Sequence, residues 1–249
     1  MLQAVELLLA GAVIGVLLGV LGGGGAIFTA PLLIYAFGVA PLEATTVSLV
    51  VVLLAAASGL VGHARAKTVR WREGTLFGLV GIAGSVVGAL LAGRLPEQVL
   101  LGGFAVLLLA AAYAMYRPPV RADDQGHDRR PWVTVVAAAL AVGLVTGFFG
   151  VGGGFVIVPA LVLVLGFSMP AAAATGLLVI AINSLAALAV RGSQYLDWSV
   201  ALPMATGAVV GSFAGSRLAP HVPARRLQVS FAGLMVATAV FVGARTALG

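Results

Sequence analysis

The sequence predicts an all-α, polytopic membrane protein made of two inverted-topology repeats. Each repeat is a glycine-broken, re-entrant helical hairpin followed by about three transmembrane helices. Composition is the first observation behind this. Of 249 residues, 61% are hydrophobic and only 9% charged, where a soluble domain holds about 25% charged residues, and the mean hydropathy is +1.13. The second is a series of apolar runs, several of about 20 residues, the length needed to cross about 30 Å of hydrocarbon. The third is a glycine and proline pattern that occurs twice.

In chain order the apolar segments are residues 4–21, a break at Gly22, Gly23, Gly24 and Gly25, then 26–39, 45–62, 75–92 and 99–116. The charged stretch 117–131 follows. The second series is 132–149, a break at Gly150, Val151, Gly152, Gly153 and Gly154, then 155–167, 171–190, 199–219 and 227–243. Gly15, Gly19, Gly22, Gly24, Gly25 and Pro31 recur as Gly143, Gly147, Gly150, Gly152, Gly153 and Pro159, all at an offset of 128. Further on, Thr46 falls on Thr175, Trp71 on Trp198, Gly84 and Ser85 on Gly211 and Ser212, Gly88 on Gly215, Pro96 on Pro223 and Phe104 on Phe231. Such periodicity is the signature of an internal duplication. It divides the chain into a first repeat, 1–116, a cytoplasmic linker, 117–131, and a second repeat, 132–249.

Loop charge gives the relative orientation of the copies. The loop with Arg65, Lys67, Arg70 and Arg72 has a partner holding only Arg191. The next loop has Arg94 alone, whereas its partner has Arg217, Arg225 and Arg226. Basic residues collect in cytoplasmic loops. If each copy crosses an odd number of times the second is upside down, and all the basic residues except Arg94, Arg191 and Arg245 fall on one side. Both termini are then expected on the other side. The odd count pairs the segments around each glycine cluster, because 14 residues make only about 21 Å of helix. Trp71 and Trp198 read as interfacial anchors.

Irregular backbone at membrane depth is tolerated only where protein buries it or water reaches it. Corresponding breaks in two inverted halves point to a transport site at their interface, and the helix resuming after each break presents amide N–H groups suited to an anion. Close helix packing is the plainer use of such glycines. No Asp, Glu, Lys, Arg or His lies deep in any apolar run, so the polar groups available there are hydroxyls and the Asn183 amide. Thr46 and Thr175 either donate to a ligand or bond back to a carbonyl one turn earlier. Asn183 either bonds a neighbouring helix or lines the path, and Ser85 and Ser212 read as close-packing residues.

No cofactor or metal is expected. With no cysteine there is no thiolate site, and Asp123, Asp124, His127 and Asp128 read as a solvated linker. The net charge of +6 reads as topology, so nucleic acid is not an expected partner; a small anionic solute and the lipid bilayer are. An intramembrane hydrolase is the reading from another class. It needs a nucleophile and base within reach of each other, yet His63, His127 and His221 fall in polar breaks and no Gly-x-Ser-x-Gly elbow occurs. A transporter of some other small solute also stays open.

These motifs resemble the sulfite exporter TauE/SafE family of bacterial membrane permeases. The resemblance lies in Gly15-Val-Leu-Leu-Gly19-Val-Leu-Gly22-Gly-Gly-Gly25 with Pro31, and in Gly143-Leu-Val-Thr-Gly147-Phe-Phe-Gly150-Val-Gly-Gly-Gly154 with Pro159. Ala44-Thr45-Thr46-Val47-Ser48-Leu49 and Leu196-Asp197-Trp198 add to it. It implies a multi-pass inner-membrane permease for small sulfur-containing anions such as sulfite, sulfoacetate or other organosulfonates. A related group that takes up thiosulfate uses pathway cysteines, which this chain lacks. The site implied surrounds Gly22, Gly23, Gly24, Gly25, Gly150, Gly152, Gly153 and Gly154, with Thr46, Ser48, Thr175 and Asn183.

Overall fold

A computed structural model describes residues 2–92, 97–116, 131–149, 154–192 and 195–248. Among these the secondary structure is helical: α1 (Leu2–Leu21), α2 (Ala26–Phe37), α3 (Pro41–Arg65), α4 (Trp71–Ala92), α5 (Glu97–Tyr116), α6 (Trp132–Phe149), α7 (Gly154–Leu163), α8 (Met169–Arg191), α9 (Trp198–Leu218) and α10 (Ala224–Leu248), with a short 3-10 turn between the last two. Seven of them are long and apolar enough to cross a membrane, and α2 and α7 are shorter apolar helices. The segment 117–130 of the expected linker lies outside the described residues, as do Gly150, Gly152 and Gly153.

Local chemistry sets the helix ends. Gly38, at φ +67°, closes α2 in the left-handed conformation that glycine adopts without a Cβ penalty. Pro41 then opens α3 at a position whose N–H would be unpaired anyway, with Glu43 in the first turn facing the positive end of the dipole. The break expected at Pro41, Leu42 and Glu43 is therefore the helix start itself. Asp197 caps α9 by accepting from the Ser199 N–H at 2.8 Å. The Ser199 hydroxyl first, and then this backbone bond, hold its carboxyl below the ordinary range, so the cap's contribution is present above the ordinary carboxylate pKa and fades as pH falls through the depressed one.

Glycine lets the helices touch backbone to backbone. A Cβ at Gly11, Gly15 or Gly19 of α1 would collide with the carbonyls of Met204, Ala208 and Ser212 on α9. Reciprocally, one at Gly207, Gly211 or Gly215 would strike α1. The same interlock joins α4 and α6, with Gly84 and Gly88 against Leu140 and Leu144, and Gly143 and Gly147 against Gly81 and Ser85. This is the small-residue packing that drives helix association where lipid removes the hydrophobic incentive. Ser85 and Ser212 take part through their backbones, in keeping with a close-packing role. The closest packing thus lies between the halves of the chain, α1 of the first on α9 of the second and α6 of the second on α4 of the first.

The contacts also fix helix direction. Residue numbers rise together along α1 and α9, so these run parallel, and so do α3 and α9 through Gly59 on Ser212 and Gly62 on Ser216. On the other side α4, α6 and α8 run parallel, with Gly74 on Thr175 and Gly78 on Ile182. Between the two groups α3 and α8 are antiparallel: Gly59 meets Leu177, and Arg191 reaches Thr45. Sequence-matched helices therefore run in opposite directions: α1 against α6, α3 against α8 and α4 against α9. One end of the bundle gathers Arg65, Lys67, Arg70, Arg72, Arg217, Arg225 and Arg226, and α1 starts at the other end. Trp71 and Trp198 are exposed at opposite ends, as interfacial anchors require.

Gly15→Val should lower stability by about 1–3 kcal/mol or more, because its side chain has only the Ala208 backbone to displace. Gly233→Ala, with open space around it, should leave stability unchanged or raise it by up to about 1 kcal/mol through helix propensity. Thermal unfolding of both proteins in detergent distinguishes them.

Candidate functional site

The two glycine breaks meet inside the bundle. A Cβ at Gly23 would collide with the Gly154 carbonyl, and one at Gly154 would stand 2.9 Å from the Gly23 carbonyl oxygen and 2.9 Å from the Ile180 side chain. Gly22, at φ +74°, lies against the Ala173 backbone, and a Cβ at Gly176 would come within 2.9 Å of the Gly22 carbonyl. The break of the first half is thus gripped by the opening turns of α8 from the second. Gly24 faces the side chain of Leu234 on α10, and Gly25 folds back onto Ile14 of α1.

From these tips α2 and α7 lead away over 12 and 10 residues, about 18 and 15 Å of helix, or half of the hydrocarbon thickness. Each has a proline at the matched position, Pro31 and Pro159, which removes one helical hydrogen bond. No side chain caps the start of α2 at Gly25. The first turn there is held by long backbone bonds, Ala26 N–H to Gly23 and Phe28 N–H to Gly25, each 3.3 Å. The amides of Gly23, Gly24 and Gly25 have no backbone acceptor among the described residues.

The matched threonines are separated. Thr175 is fully buried beside the first break, between Ala173 and Gly176, and its Oγ1 accepts from the Arg70 N–H at 3.1 Å. Thr46 is equally buried but donates to Leu42 O at 2.8 Å, one turn back. It stands 13 residues before Gly59, which touches Leu177, so it is roughly 20 Å along the axis from the Thr175 level. Ser48 is buried two residues further along α3. Asn183 lies on α8 one turn beyond Ile180, which touches the second tip. Its Oδ1 is buried with no partner, and an unpaired amide oxygen in that setting is costly. The structure therefore brings together Gly22, Gly23, Gly24, Gly25, Gly154 and Thr175, places Asn183 close by, and sets Thr46 and Ser48 toward the other end of α3.

One buried residue lies where the sequence suggested a polar break. His63 is inside α3 and only 2% exposed. Its Nε2–H donates to the Gly19 carbonyl at 2.8 Å, and Thr68 Oγ1 stands 3.5 Å from Nδ1. It ties α3 to α1 one turn ahead of the first break. Hydropathy ended the segment at residue 62 because Arg65 and Lys67 follow so closely. The buried polar side chains among the described residues are hydroxyls, His63 and Gln228, with no carboxylate.

A family model described as sulfite exporter TauE/SafE matches residues 7–242. The chain belongs to the sulfite exporter TauE/SafE family. It is 33% identical over 241 residues to a probable membrane transporter protein of Xylella fastidiosa strain Temecula1, covering 93% of this chain and 92% of that one. It is 26% identical to the probable membrane transporter protein YunE of Bacillus subtilis, over 86% and 88% of the two chains, and 23% identical to the probable membrane transporter protein MJ0441 of Methanocaldococcus jannaschii, over 94% and 93%. No solved structure matches it. This TauE/SafE protein is a multi-pass membrane transporter rather than an enzyme.

Thr175→Val removes the acceptor of the Arg70 amide and should destabilise the protein by about 1–3 kcal/mol, whereas Thr175→Ser should retain most of the stability. Thr46→Val frees only a carbonyl already bonded within its helix and should cost no more than about 1.5 kcal/mol. Thermal unfolding of the three variants checks the order.

Proposed function

We propose that this transporter moves a small anion, sulfite or a related sulfur-containing anion or organosulfonate, by alternating access around the two hairpin tips. The observation that carries the reading is the meeting of Gly23 and Gly154 beside α8. The helices α2 and α7 both start there, directing the positive ends of two short dipoles to one region. Residues 1–116 and 132–249 act as inverted copies, the opposed directions of their matched helices supporting that reading. The basic end faces the cytoplasm of an inner membrane.

The anion's ligands in this reading are the amides of Gly23, Gly24, Gly25, Gly150, Gly152, Gly153 and Gly154, with Thr175 and Asn183, while Gly22, whose amide donates to Leu18 O at 2.8 Å, shapes the turn. Thr46 and Ser48 serve the far end of α3. Neutral donors suit an anion because no buried carboxylate is present to repel it among the described residues. The backbone contact at the tips closes the midplane in this conformation, so an anion enters only as the tips move apart. The name of the family whose model matches supports sulfite in particular.

Purified protein in liposomes should carry saturable flux of sulfite or a small sulfonate above protein-free vesicles, with thiosulfate slower. Gly23→Leu should insert normally but abolish that flux. Flux at the vesicle background for sulfite, sulfate, thiosulfate and a sulfonate alike would contradict the anion reading, and normal flux through Gly23→Leu would remove the tips from the pathway.

A further inference from the structure

We propose that Arg191 is the docking group for the anion at the end of the bundle opposite the basic cluster, and that its bond to Thr45 closes that end until an anion takes the guanidinium. This rests on the small-anion reading and adds to it a residue that reading does not use.

Arg191 lies in the last turn of α8, half-buried. Its Nη1 donates to Thr45 Oγ1 at 2.8 Å. The Thr45 hydroxyl donates in turn to Leu42 O at 2.9 Å, the same carbonyl that accepts from Thr46 at 2.8 Å. Leu42 also lines an open depression of about 500 Å³ with Ala40, Glu43, Tyr195, Leu196 and Asp197. A guanidinium is thus joined through Thr45 to Leu42 on the wall of a surface depression, and to a candidate site threonine by three hydrogen bonds through that one shared carbonyl.

The chemistry fits a waiting anion site. A guanidinium has five N–H donors in a planar fork, and the described residues engage one of them, with a neutral hydroxyl. A bond to an oxyanion is charge-assisted and roughly twice as strong as one to a neutral acceptor, so an arriving anion displaces Thr45. The depression itself carries two carboxylates, Glu43 and Asp197, and would repel an anion without a cation close by, which Arg191 supplies from beyond Thr45. The displaced bond also matters mechanically, because it ties α3 of one half to α8 of the other, the helix against which the tips pack.

The device is present at one end only. In the repeat alignment Arg191 falls opposite Gly62 and Thr45 opposite Ala174. At the basic end α8 is held instead by the Arg70 backbone N–H, in the turn between α3 and α4, which donates to Thr175 Oγ1, a link that no anion replaces in the same way. Arg191 as a mere partner for the negative end of the α8 dipole would act equally on transport from either side.

The test is sulfite uptake at initial rate into membrane vesicles of both orientations. For R191Q, KM from the Arg191 face should rise about tenfold or more, as expected for a lost charge-assisted bond, with KM from the basic face changed less than about twofold. R191K should recover part of the loss, since a point charge replaces a fork, and T45V, which keeps the cation but frees it, should leave that KM unchanged or lower it. An equal fall in Vmax from both faces at unchanged KM would overturn the proposal, as would T45V reproducing R191Q. Should R191Q not reach the membrane, a KM for R191K equal to wild type on the Arg191 face would overturn it too. Saturable wild-type flux untouched by R191Q sinks this proposal alone, whereas wild-type protein that carries no anion sinks the anion reading beneath it.

Discussion

A peptide group left unpaired in hydrocarbon costs several kcal/mol, so a helix can stop at mid-membrane only where protein surrounds the stop. Among the described residues the tips meet that condition backbone on backbone, Gly22 on Ala173 and Gly176 of α8 and Gly23 on Gly154, with Gly154 also against Ile180. Glycine is what makes this possible. At Gly22, Gly23 and Gly154 the neighbouring backbone stands where a Cβ would be, so any other residue would push the tips apart. The ladders of Gly11, Gly15 and Gly19 on α9, and of Gly84 and Gly88 on α6, extend the same device along the flanking helices and hold them at the distance the tips require. Van der Waals contact and weak Cα–H to carbonyl bonds supply the cohesion that water would otherwise drive.

This arrangement exchanges partners between the halves. Each half contributes a first helix that packs on the penultimate helix of the other, and Gly22 is seated on Ala173 and Gly176 across the divide. The first tip thereby rests on the helix that carries Thr175 of the other half. His63, bonded to Gly19 one turn before the first break, and Ser58, bonded to Val209 on α9 at 2.9 Å, stiffen the α1, α3 and α9 group. Beside it α4, α6 and α8 form the opposing group. The two triplets meet at α3 and α8, and in the proposed alternating access one rocks against the other.

Much of this was legible in the residues. The apolar segments fall on all ten helices, and the glycine and proline offsets foretell which helices correspond. Segment ends were less legible because hydropathy ignores capping: Pro41 and Glu43 read as a break although they open α3, and His63 read as loop although α3 continues past it. Partner choice was invisible, since a glycine ladder announces a close neighbour without saying which one. The matched Thr46 and Thr175 illustrate the same limit. Their equivalence in the repeat is plain from spacing, but antiparallel placement of α3 and α8 separates them, and only Thr175 meets a described break. Arg191 attracted notice as a loop charge, while its bond to Thr45 depends on helix pairing that no spacing records.

The absence of native cysteine makes one test of the tip site direct, because an introduced thiol is the only one in the protein. Asn183→Cys places it next to Ile180, beside the second tip, where the buried oxygen now lacks a partner. The measurement is the rate of maleimide labelling from each face of oriented vesicles, with and without a small sulfonate. Labelling from both faces, slowed by the sulfonate but not by an uncharged solute of similar size, is the predicted result. Labelling at one unchanged rate with and without the sulfonate, or none from either face, would contradict a site that opens alternately around the tips.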